Sequence, residues 1–123
     1  MINSYTNVNT TVEVNGLLPF DFNSSINYAH CSCRGVSHIA GTPTFTITNP
    51  GRYLIIFNGT GANNTATTGE ITVSLLKNGV VIPGATASET SADLTDVRTV
   101  GFSTVIEVLN SCNCVNNQAN LVF

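Results

Sequence analysis

The stretch "EITVSLLKNGVVI" at residues 70–82 decides the fold. Ile71, Val73 and Leu75 alternate with polar neighbours, which is the period of a strand with one buried face. Asn78-Gly79 then offers the strongest short hairpin signal, a type I′ turn with positive φ at both central residues. "VVI" (80–82) is the expected return strand, closed by "PGA". The chain therefore contains at least one antiparallel hairpin.

The same period extends outward. "TFTIT" (44–48) sets Phe45 and Ile47 on one face and three threonines on the other. "NPG" (49–51) reads as a turn, and "RYLIIFN" (52–58) as the next strand. "GTGANNTATTG" (59–69) and "SETSADLTD" (88–96) read as loops. "VRTVGFSTVIEVL" (97–109) is the longest β segment, and "ANLVF" (119–123) closes the chain as a strand. "TVEV" (11–14), "FDF" (20–22) and "INYAHCSC" (26–33) are further strand candidates. No window carries apolar residues at helical spacing. Eight to ten short strands and no substantial helix predict an all-β fold, an antiparallel sandwich or jelly roll, in a single domain over 1–123. Residues 1–25 are the most loop-like part, read as a first strand or an N-terminal docking arm.

Two strands are apolar on both faces. Tyr53, Ile55 and Phe57 alternate with Leu54 and Ile56; Phe102, Thr104, Ile106 and Val108 alternate with Ser103, Val105, Glu107 and Leu109. An antiparallel sandwich exposes one polar face per sheet. The second apolar face must be covered within the chain or by another copy, which makes a homo-oligomer the expectation. Tyr53, Phe57 and Phe102 are the candidate interface or core aromatics.

Composition narrows the function. The 123 residues carry four Lys+Arg against seven Asp+Glu, a net charge of −3. Without a basic cluster, nucleic acid is not an expected partner. Asn and Thr, 16 and 17 copies, supply a neutral polar surface suited to exposure or to packing in an assembly. No basic segment leading into an apolar one follows Met1, so no secretory signal is expected. "YLIIF" is too short for a membrane span, so no membrane insertion is expected.

Four cysteines form two Cys-x-Cys pairs, "HCSCRG" (30–35) and "SCNC" (111–114). On a strand, the two thiols of each pair lie on one side about 7 Å apart, poor geometry for one metal ion. The indices of Cys31 and Cys114 share their sum with those of Cys33 and Cys112, so one antiparallel register places both pairs opposite each other. Disulfides or paired thiols, reduced structural cysteines, a metal site and redox chemistry all remain open readings. His30 and His38 read as hydrogen-bonded structural residues before ligands or bases. Asp93 and Asp96 share a loop and offer a weak calcium signal. No nucleophile elbow, phosphate loop or His-Glu-x-x-His motif is present, so neither an enzyme nor a cofactor is expected.

Taken in order, "TFTITNPGRYLIIFNGTG", "ITVSLLKNGVVIPGA" and "VGFSTVIEVLN" resemble the tumour-necrosis-factor/complement-globular-head superfamily over residues 40–123, with "VSLLKNG" the most specific piece. The resemblance implies a ten-strand jelly roll that forms a tight homotrimer. Within it the chain is most similar to small phage virion proteins, head fibres or capsid decorations. It is also similar to the trimeric tips of collagen-like spore-surface proteins, which follow Gly-X-Y repeats absent here. The implied function is structural and attachment, at the virion surface after assembly in the host cytoplasm. The partners implied are its own copies, other virion proteins, and host-surface carbohydrate or protein. The alternative is a secreted, spore- or cell-surface head binding carbohydrate or a receptor. Asn63, Asn64, Thr67, Asp93 and Asp96, on loops 59–69 and 86–96, are the candidate outward residues.

Overall fold

A computed structural model of the chain describes residues 2–25, 35–109 and 119–122. Among these residues the protein is all-β and antiparallel, with no helix. Nine strands follow in order: β1 (Ile2–Tyr5), β2 (Phe22–Ser25), β3 (Val36–His38), β4 (Thr44–Ile47), β5 (Gly51–Gly61), β6 (Gly69–Lys77), β7 (Val80–Ser91), β8 (Arg98–Val108) and β9 (Ala119–Val122). Five of them form one sheet in the order β3-β4-β9-β6-β7. β5 and β8 form a second, two-stranded sheet over eleven residue pairs, and β1 pairs with β2.

The hairpin at residues 70–82 forms as its sequence requires. Asn78 (φ 51°) and Gly79 (φ 81°) both occupy the left-handed region, which Asn and Gly reach at least cost. Beyond it the structure departs from expectation. "PGA" does not end the return strand, and β7 runs on to Ser91. The ladder breaks between Ser74↔Thr86 and Leu76↔Val81, so that Leu75 alone stands against residues 82–85. Pro83, which has no N–H to offer a ladder, and Gly84 (φ 79°) lie in this bulge. The strand therefore passes through a Pro-Gly pair that reads as a stop, and the bulge brings Ala85 into the core, where it and Leu75 are fully buried.

The core lies between the five-stranded sheet and the β5–β8 pair. Ile47, Leu75, Ala85, Ile106 and Val108 form one cluster; Phe20, Phe57 and Val100 form another. Phe45 and Phe102 touch both. Burying each such large side chain contributes roughly 1.5–3 kcal/mol. Lys77, the only lysine, ties the layers at one end: its Nζ donates to the Glu107 carbonyl at 2.6 Å.

The first 25 residues are partly built into this body. Phe20 bridges Thr42 and is buried against Phe57 and Val100. Residues 11–14, expected as a strand, are exposed and end in a turn, where the Gly16 amide donates to the Glu13 carbonyl at 2.8 Å. The turn needs its glycine: a Cβ there would lie 2.8 Å from the Glu13 carbonyl oxygen. Valine and threonine favour strands only where a ladder partner exists. The expected strand 26–33 lies outside the described residues.

Candidate interaction surfaces

Two places stand out: the outer face of the β5–β8 pair and the loop end of the body. Alternation along β5 turns Tyr53, Ile55 and Phe57 inward. Phe57 is buried and stacks on Phe102 with ring centroids 5.5 Å apart. Tyr53 is half-buried against the main cluster, and its hydroxyl donates to the Asn49 carbonyl at 2.7 Å. All three candidate aromatics thus serve the core of this chain.

The opposite face is apolar and open. Leu54, Ile56 and Val105 are 65%, 64% and 61% exposed. Leu54 stands opposite Val105, and Ile56 opposite Ser103. Arg52 and Glu107 oppose each other at one end, with Nε and Oε1 3.8 Å apart, both mostly exposed. Such a pair adds little stability, since solvent screens it. Antiparallel sheets commonly turn polar residues toward water; three exposed aliphatic side chains on the water side make a surface suited to a partner.

The loop end is polar and tightly wired. Ser91, on the last residue of β7, is fully buried. Its hydroxyl lies 2.9 Å from the carbonyls of both Asp93 and Asp96, donating to one at a time, and accepts from the Asn63 amide at 3.3 Å. The Asn63 side-chain amide donates to the carbonyls of Ser91 (2.8 Å) and Thr67 (3.0 Å), while its Oδ1 accepts from Thr65. Asn63, expected as an outward residue, is half-buried and joins loop 62–68 to loop 92–97. Asn64 and the Thr67 side chain lie on the exposed rim. Sequence reading passed over Ser91; its only signal was a serine in phase with Ala85 and Ala87 on the inward face of a Thr/Ser-rich strand.

Asp93 and Asp96 organise their own loop. Asp93 Oδ1 accepts from the Thr95 hydroxyl (2.7 Å) and amide (2.8 Å), and these bonds hold its carboxyl below the usual pKa. Asp96 Oδ2 accepts from Arg98 (2.9 Å) and from the Ala92 amide (2.8 Å); Arg98 first, then that amide, lowers its pKa. Both carboxylates are engaged on their own loop. Among the described residues no three His, Cys, Asp or Glu side chains gather where a metal ion could sit.

His38 is a hub for the amino-terminal strands. Its ring stacks on Phe45 at 4.2 Å, with Nε2 2.7 Å from the Thr42 carbonyl and Nδ1 2.5 Å from Asn23 Oδ1. It borders a shallow cavity of about 240 Å³ otherwise lined by Ser37, Ile39, Thr42, Thr44 and Thr46, with no carboxylate among these. His30, Cys31, Cys33, Cys112 and Cys114 lie outside the described residues, and so does the register proposed for them. No helix among the described residues is long and apolar enough to cross a membrane.

No family model matches the chain, nor does any curated protein or solved structure.

Proposed function

We propose that the protein is a non-catalytic structural and attachment protein of a phage particle, a homotrimeric jelly roll serving as a head fibre, capsid decoration or tail-tip knob. The observation that carries this reading is the open apolar face of β5–β8, set in a surface where Thr and Asn are the commonest exposed residues. Assembly covers that face and leaves the loop end 62–68 and 92–97 directed outward, where hydroxyl and amide groups suit hydrogen bonding to host-surface carbohydrate or protein. The motif order of residues 40–123 supports the same reading.

The test is mass spectrometry of density-banded particles from cultures producing the protein. Peptides of the chain at a fixed copy ratio to the shell protein support the reading. Recovery only from spore or cell surfaces, or only from the soluble fraction, overturns it.

A further inference from the structure

We infer that His38 is a proton-operated latch: its protonated ring fastens the β1–β2 pair to the body of the chain, and loss of that proton loosens it. The inference does not depend on the oligomer.

Strands β1 and β2 pair over four residues and form a two-stranded sheet of their own. Such a pair is marginal in water unless it packs on something larger. It meets the body at His38, the last residue of β3.

The ring is held between two acceptors. Nε2 lies 2.7 Å from the Thr42 carbonyl, in the turn between β3 and β4. Nδ1 lies 2.5 Å from Asn23 Oδ1 on β2. The Asn23 amide is fixed in this orientation, because its Nδ2 donates to the His38 carbonyl at 2.9 Å. Turning it over would set Oδ1 against that carbonyl. The Ser4 hydroxyl of β1 donates to the same Oδ1 at 2.6 Å and stands 3.4 Å from Nδ1. A neutral imidazole donates from one nitrogen only, an imidazolium from both. The protonated ring satisfies both contacts with charge-assisted bonds. Either neutral tautomer leaves a ring lone pair facing an oxygen.

The ring's other neighbours are uncharged: Phe45 of β4 stacks on it and Phe20 meets it edge-on. The segments around it, 2–6, 20–25 and 35–47, hold two further titratable side chains, Tyr5 and Asp21. Tyr5 stacks on Phe22, and Asp21 Oδ2 accepts from the Thr6 hydroxyl at 2.5 Å. An ordinary imidazole loses its proton near pH ~6.5. The hold is therefore complete below that pH and is lost as rising pH titrates His38.

The experiment follows amide exchange of residues 2–5 and 22–25 by NMR at pH 5 and pH 7.5, corrected for the intrinsic pH dependence of exchange. It compares the unaltered chain with His38→Gln and Asn23→Ala. Asn23 is exposed, so its replacement leaves the body folded; protection of β5–β8 reports this in each sample. The expected result is that opening of the β1–β2 pair rises at least about fourfold from pH 5 to pH 7.5 in the unaltered chain, and less than twofold in each variant. A smaller rise in the unaltered chain, or β1–β2 amides unprotected at both pH values, overturns the latch. A fourfold rise that persists in either variant while β5–β8 stays protected assigns the dependence to another group and overturns it too.

Discussion

Leu54 and Val105 face each other across the β5–β8 ladder with their side chains in solvent, while their neighbours Ile55 and Ile106 turn into the core. The outward side chains can therefore be changed without touching the core. Replacing Ile56 or Val105 by Thr keeps the β-branched shape that strands favour and removes apolar surface from the open face. The fold should keep its stability to within about 0.5 kcal/mol, as is usual for surface changes. Association should weaken at least tenfold in sedimentation. An equal loss of both would place these side chains in the monomer core.

Leu75 tests the opposite face. It is fully buried where one residue of β6 stands against four of β7. Leu75→Ala should cost about 2–5 kcal/mol in denaturant unfolding, the range for cavities in packed cores. A smaller loss would mean that the bulge collapses into the space.

Ser91 and Asn63 hold the two loops together. Asn63→Ala removes both donors and the acceptor of its side chain and leaves the Ser91 carbonyl without its 2.8 Å partner. The expected cost is about 1–3 kcal/mol, the range for a buried group left unsatisfied. Amide exchange should accelerate in 62–68 and 92–97 together. Acceleration in one loop alone would contradict the link.

Acid should loosen the same region. Hydrogen bonds hold Asp93 and Asp96 below the ordinary value of 3.8, so their stabilising effect is complete above it and is lost as the pH falls through the lower folded-state values. The amide resonances of Ala92 and Thr95 should titrate with midpoints below 3.8. Midpoints above that value would mean the carboxylates are not held as described.

Much of this architecture was legible in the chain. Alternation located β4, β5, β6 and β8 to within a few residues, and Asn78-Gly79 located the hairpin, because period and turn chemistry are local. What was hidden depends on partners distant in sequence. Pro83-Gly84 reads as a terminator, yet β7 continues because the bulge faces Leu75. Residues 11–14 have strand composition but no ladder to join. Phe20, read as the start of a strand over 20–22, forms only a single bridge to Thr42 while the strand begins at Phe22, and its ring enters the core against Phe57 and Val100. The open face was legible as excess apolar surface, whereas the Ser91–Asn63 link was not, since neither residue type signals burial.

The most direct test of the account is the native mass of the protein in solution, measured across dilution with and without reductant. A trimer is expected in both conditions, held by burial of the β5–β8 face. A monomer at all concentrations would contradict it.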